Sequence, residues 1–256
     1  MLFILGRPSE KPGIWVMTIK NGRKVVIIIA EGPSDEEALY PFLKELGKPH
    51  NIRFEITHGD VLSDTKNATK SHKNIVGGIV STILKKNRFL KEDILLVAQI
   101  TDTDGVFISD DCVIIDGGVE RMAYRDGEIA VANDKKYEEI IKRNQVKSSR
   151  VKALVNTPFT LSSIPYQMYY FSCNLDHVLH GQQFIGEKDK VGKAEAFASS
   201  QSGPEFKSFI SEQALYEGES YEQSWEFIFA EANSLKRCTN FGLFLEELES
   251  TLSEGN

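Results

Sequence analysis

One stretch constrains the fold of this chain more than any other. Lys24 to Leu46 reads KVVIIIAEGPSDEEALYPFLKEL. Within it, Val25 to Glu31 is six apolar residues followed by a carboxylate. A continuous β-branched run bounded by a turn signal is the pattern of a strand buried on both faces. Gly32-Pro33 ends the run, as that dipeptide does in turns. Leu39, Phe42, Leu43 and Leu46 then recur at helical spacing. They predict a helix opening at Ser34, with Ser34 as its cap and Glu37 closing a capping box. Glu31 therefore falls at the carboxyl end of a buried strand, where the chain turns into a helix. In an open α/β sheet, that edge is where ligands bind.

The pattern continues along the chain. Ile52 to Thr57 alternates apolar and polar residues, as a half-buried strand does. His58 to Lys73 is polar and reads as a loop. Ile75 to Leu90 has helical spacing and a basic last turn, which suits the negative end of a helix dipole. Asp93 to Ile100 is a third strand running into Asp102-Thr103-Asp104-Gly105. The order β-α-β-α-β predicts a parallel sheet with right-handed crossovers. Cys112 to Ile115 reads as a short fourth strand, and Arg121 to Val131 as a hairpin around Asp126-Gly127. Asp134 to Val146 is a charged helix, Val155 to Pro165 is irregular, and Gln167 to Phe171 is the last strand. A helix over Leu175 to His180 leaves that strand's carboxyl end, and the patterns from Lys188 onward are helical. The expected architecture is an α/β domain over residues 20–180 with a central, mostly parallel sheet and flanking helices, followed by a C-terminal helical region, 181–256.

The chemistry lies in the acids at the strand ends. The first strand supplies Glu31 and, four residues on, Asp35; the third supplies Asp102 and Asp104. Alternate residues of an extended segment point the same way, so Asp102 and Asp104 aim at one place. Carboxylates that converge repel each other unless a cation lies between them. An all-oxygen set suits Mg²⁺, Mn²⁺ or Ca²⁺ rather than zinc. Such an ion is the usual apparatus of phosphoryl transfer. Structural readings stand beside these. Asp35 also suits dipole support in a first helical turn, and Asp102 to Gly105 also suits a strand-ending turn. Asp116-Gly117-Gly118 reads as a turn, and His177 and His180 lack the partners of a zinc site.

These residues carry a resemblance. An apolar strand ending in Glu-Gly, then a helix, then a later strand ending in Asp-x-Asp resembles the Toprim fold of topoisomerases, bacterial primases and several nucleases. IIIAEGPSDEEAL is similar to the Toprim domains of overcoming-lysogenization-defect (OLD) nucleases. The likeness covers about residues 24–120. It implies a metal-dependent nuclease of DNA or RNA, with phage defence among its roles. It also implies Glu31 as metal ligand or general acid/base, and Asp35, Asp102 and Asp104 as ligands of Mg²⁺ or Mn²⁺. The polar loop then offers Lys66, Lys70 and Lys73 to nucleic-acid phosphates. OLD nucleases are typically joined to an ATPase. This sequence has no Gly-x-x-x-x-Gly-Lys-Ser/Thr signature, so an ATPase would be a separate partner protein; a homodimer is the other assembly considered. YYFSCNLDHVL is weakly similar to a Ser-Asn-Pro-x-Phe-Glu segment of stand-alone Toprim-like defence proteins. It lacks the Pro and the Glu, and the likeness draws attention to Asp176.

Two other classes compete. Asp102-Thr103-Asp104-Gly105-Val106 resembles the haloacid-dehalogenase phosphatase motif, with Asp102 as nucleophile, although that motif usually starts its domain. A non-catalytic Toprim-like scaffold acting through a protein partner is the third reading. A net charge of −7 argues against a broad non-specific DNA surface. Three widely spaced cysteines form no disulfide or metal pattern, and no apolar run approaches the roughly 20 residues of a membrane span, so a cytoplasmic setting without membrane contact is expected. Met17 is an alternative start, with residues 1–16 as an extension.

Overall fold

The computed structural model describes residues 24–58, 62, 71–215 and 220–254. In chain order the strands are β1 (Lys24–Ala30), β2 (Ile52–His58), β3 (Ile94–Asp102), β4 (Val113–Ile115), β5 (Ala123–Arg125), β6 (Glu128–Val131), β7 (Phe159–Thr160) and β8 (Ile164–Phe171). The helices are α1 (Pro33–Gly47), α2 (His72–Asn87), α3 (Asp134–Val155), α4 (Leu175–His180), α5 (Glu187–Ser199), α6 (Gly203–Glu212), α7 (Tyr221–Phe229) and α8 (Phe241–Glu254).

The main sheet has the order β2-β1-β3-β8-β7. Its first four strands are mutually parallel, and only the two-residue β7 at the edge is antiparallel. β1 lies between two neighbours and every one of its residues is buried, as its unbroken apolar run requires. Its side chains alternate between two cores. Val26 and Ile28 pack with Leu39, Phe42 and Leu43 of α1 and with residues of α6 and α8. Val25, Ile27 and Ile29 pack with α2, α3 and α7. Helices therefore cover both faces, and the C-terminal helices bury their apolar sides in the same two clusters as the strands. Among the described residues, no helix is long and apolar enough to cross a membrane.

The strand order fixes where a crevice opens. From β1 the chain goes to β2 on one side, then returns to β3 on the other. The reversal lies between β1 and β3, and their carboxyl ends flank it. That is the topological switch point, where ligands sit in open α/β sheets.

Several boundaries differ from the sequence reading. Helix α3 runs past Val146 to Val155, because Val151 and Leu154 continue its buried side. The stretch read as irregular holds β7 and the start of β8, with Pro165 accepted beside the short edge strand. Helix α1 begins at Pro33, and Gly32 occupies the cap position expected of Ser34. The hairpin forms at Asp126-Gly127, with Gly127 in the left-handed region. Together with β4 it makes a separate small sheet, β4-β6-β5, inserted between β3 and α3.

Candidate functional site

β1 delivers Glu31 and β3 delivers Asp102 to the same edge, one on each side of the switch point. Glu31 Oε1 accepts hydrogen bonds from Thr101 Oγ1 (2.7 Å) and from the Asp102 amide (3.2 Å). The two strand ends are thus tied through the glutamate itself. Asp35, in the first turn of α1, reaches back: its Oδ2 accepts from the amides of Glu31 (3.0 Å) and Gly32 (2.9 Å). This is the helix-capping role expected of Ser34 and Glu37, performed by Asp35 instead. Asp102 Oδ1 accepts from the Leu175 amide at the start of α4 (2.9 Å).

Asp104 is held by a locked turn. The Thr103 amide donates to Phe171 O (3.1 Å), and the Asp104 amide donates to Cys173 O (2.7 Å). The Cys173 amide donates to Thr103 Oγ1 (2.8 Å). Asp104 itself is left-handed (φ 50°), a conformation Asp tolerates better than most residues. Gly105 follows at φ +66°, a conformation that strains any L side chain, and a Cβ there would stand 2.5 Å from Leu235 Cδ2, so Leu235 would have to shift.

The residue that organises these acids was not singled out in the sequence. Lys147 of α3 is 1% exposed, and its ammonium donates to Glu31 Oε1 (3.1 Å) and to Asp104 Oδ2 (2.6 Å). Tyr124 OH, from β5, donates to Asp104 Oδ1 (3.0 Å). Arg143 Nη2 donates to the Asp104 carbonyl (2.8 Å). Lys147 lies on the buried side of α3 with Asn144, Val151 and Leu154. Those positions repeat at 3- and 4-residue intervals, so the signal was a lysine on the apolar stripe of a strongly charged helix.

The electrostatics follow from four neighbouring carboxyls and one buried ammonium that bonds two of them. Burial raises the Asp102 carboxyl well above its ordinary range, and Glu31, Asp35 and Asp104 push it further. Burial also raises Glu31, against the opposing pull of Lys147. Asp35 is pushed up to about 6 by burial, with the Gly32 amide opposing. Burial would raise Asp104 too, but Lys147 and Arg143 outweigh it and hold it low. Burial would lower Lys147, but Asp104 and Glu31 outweigh it and keep it charged.

Among the described residues, no hydrogen bond reaches Glu31 Oε2, Asp35 Oδ1 or Asp102 Oδ2. Asp104 has both oxygens engaged by protein donors. Within the same limits, no three His, Cys, Asp or Glu side chains already form a cage for an ion, and Lys147 stands between Glu31 and Asp104 where a cation is needed. The donor set is oxygen-only, the chemistry that a hard divalent ion takes, and three of its oxygens receive no protein donor. A cleft of about 580 Å³ opens beside them, lined by Asp35, Asp102, Asp104, Asp176, Arg121 and Phe184 among others.

The four expected acids thus come together, and Asp176 joins them at the cleft wall. The expected basic loop does not join them in any described part. Lys66 and Lys70 lie outside the described residues. Lys73 is in the first turn of α2, in a shallow depression with Leu154, Thr160 and Tyr166. Tyr166 pairs with Val97 in the first half of both strands, away from the carboxyl ends. Asp116 behaves as a turn residue, bonded to the Gly118 amide and to Arg125. Compared with known protein families, curated proteins and solved structures, the chain matches none.

Proposed function

We propose that this chain is a divalent-metal-dependent phosphodiesterase acting on nucleic acid, a nuclease of Toprim-like type. One observation carries the reading. Glu31, Asp35, Asp102 and Asp104 meet at the switch point of a parallel sheet, with Lys147 bonded to Glu31 and Asp104, beside an open cleft. Carboxyls raised by burial and by one another are unfavourable for folding, and such groups cluster at functional sites. Glu31 Oε2, Asp35 Oδ1 and Asp102 Oδ2 would hold Mg²⁺ or Mn²⁺. When bound, the ion supplies charge neutralisation at a phosphate and acidification of water.

The chain's own residues do the rest. Lys147 keeps Glu31 and Asp104 apart in charge and fixed in direction. Tyr124 and Arg143 hold Asp104 so that it in turn anchors Lys147. Glu31, raised by burial but still bonded to a cation, is placed to take a proton from an attacking water. The phosphatase reading with Asp102 as nucleophile has less support. It needs a second Asp able to donate a proton, and Asp104 is held ionised by Lys147 and Arg143. The test is Glu31→Gln, assayed for Mn²⁺-dependent cleavage of mixed DNA and RNA. Loss by a factor of about 10²–10⁴ with an unchanged circular dichroism spectrum is expected; full activity in the variant contradicts the assignment.

A further inference from the structure

Part of the cleft lining has a different chemistry from the carboxylates. Phe184, between α4 and α5, is 53% exposed although it is a large apolar ring. The guanidinium carbon of Arg121, from the segment joining β4 to β5, lies 3.2 Å from the centre of that ring. Among the described residues, no protein group accepts a hydrogen bond from Arg121, whose exposed N–H donors face solvent. Met122 and Ile185 continue the wall with apolar surface, and Lys190 adds a second positive group. A cation–aromatic pair and a cluster of acids thus line one cleft.

Nucleobases stack on aromatic rings and on guanidinium planes alike. A guanidinium fork also matches a phosphate. The cleft is about 580 Å³, within the roughly 300–1,000 Å³ that encloses a molecule of nucleotide size. A base still paired in a duplex cannot enter such a space; it must first leave the stack. Resting on the nuclease reading, we infer that the substrate is single-stranded: one unpaired nucleotide seats its base on the Arg121–Phe184 pair, while its phosphate lies between Arg121 and the carboxylate edge. The net charge of −7 argues against a broad non-specific duplex surface.

The probes are a labelled dT10 strand and a blunt 20-base-pair duplex, with Mn²⁺ binding followed separately by calorimetry. Wild type is expected to bind and cut dT10 in preference to the duplex. Phe184→Ala is expected to weaken dT10 binding by at least about fivefold, the low end of base-stacking effects. Arg121→Ala is expected to reduce the salt slope of dT10 affinity by about 0.7, the share of one phosphate contact on a single strand. Both variants are expected to bind Mn²⁺ as wild type does. A wild type that cuts the duplex in preference, or variants that bind dT10 unchanged, overturn the single-strand inference and leave the nuclease reading standing. A wild type that binds no Mn²⁺ and cuts neither probe overturns both.

Discussion

Among the described residues, acids are buried in two places that differ in kind. At the carboxyl ends of β1 and β3, Glu31, Asp35, Asp102 and Asp104 come together, the ammonium of Lys147 bonds Glu31 and Asp104, and one oxygen each of Glu31, Asp35 and Asp102 takes no protein donor. On the α8 side of β8, Glu247 is pressed against the Tyr169 hydroxyl (3.4 Å), which also donates to Gln167 Oε1 (2.7 Å). Burial pushes Glu247 up to about 7, past Asp35 at about 6. Raised carboxyls thus occur in both places, with Asp102 also well above its ordinary range. Glu247 lies beside Tyr169 and does not line the cleft. A displaced pKa alone therefore does not distinguish this site. Several acids converging on one cation at a switch point, with oxygens to spare, do.

The largest expected effect that separates the two clusters comes from Lys147→Met. It removes the one ammonium under Glu31 and Asp104, and breaking a buried ion pair from one side costs about 3–5 kcal/mol. Urea denaturation reads this directly; a loss below about 1 kcal/mol, the worth of a surface pair, would show that the acids do not depend on Lys147.

Glu247 predicts an effect of similar size but of different form. Its folded carboxyl titrates at about 7 against an ordinary 4.5. Between those values the folded chain holds a proton that the unfolded chain has released, so stability falls as pH rises. The contribution is complete below the ordinary value and gone above the folded one, and amounts to about 3 kcal/mol at 1.4 kcal/mol per pH unit. Asp35 acts in the same direction up to about 6. Glu247→Gln should therefore flatten the stability curve between pH 5 and 8 without levelling it, and should leave Mn²⁺-dependent cleavage unchanged. Equal curves for variant and wild type, or lost cleavage, would erase the distinction between the two clusters.

The smallest effect belongs to the turn that aims Asp104. Gly105→Ala places a side chain at φ +66° against Leu235 and should cost about 1–3 kcal/mol of stability, with a partial loss of activity as Asp104 shifts. Thermal unfolding and the cleavage rate check it together.

The strands that build the site were legible because they are buried on both faces: β1 and β3 have no polar residues in their interiors to confuse the pattern until Gln99. Glu31, Asp102 and Asp104 were legible because a carboxylate at the end of such a run has no packing reason to be there. Asp35 was read as either ligand or helix support, and the structure shows its Oδ2 in the supporting role with Oδ1 not so used. Lys147 was hidden by composition. In KRNQVKSSRVKALV, lysines and arginines fall on every side of the helix, and only the fold shows that Lys147 and Arg150 turn inward and that Lys147 meets the acids. The Arg121–Phe184 pair was hidden for another reason: its members are 63 positions apart in the sequence, in segments without regular structure. Helix α3 was read too short because its apolar positions thin out among charges before Val151 and Leu154 resume them.

The central claim is that the carboxyl edge of β1 and β3 binds a divalent ion that the chain uses on nucleic acid. The most direct measurement is Mn²⁺ calorimetry on wild type and Asp102→Asn, with cleavage followed on the same samples. Asp102→Asn keeps an oxygen for the Leu175 amide and removes only the charge. Mn²⁺ binding by wild type, weakened at least tenfold together with cleavage in Asp102→Asn, is the result expected of such a site. A folded wild type that binds no Mn²⁺, or a variant that binds it equally well, would contradict the claim. The acids would then be a structural cluster held by Lys147, and the chain a scaffold for a protein partner.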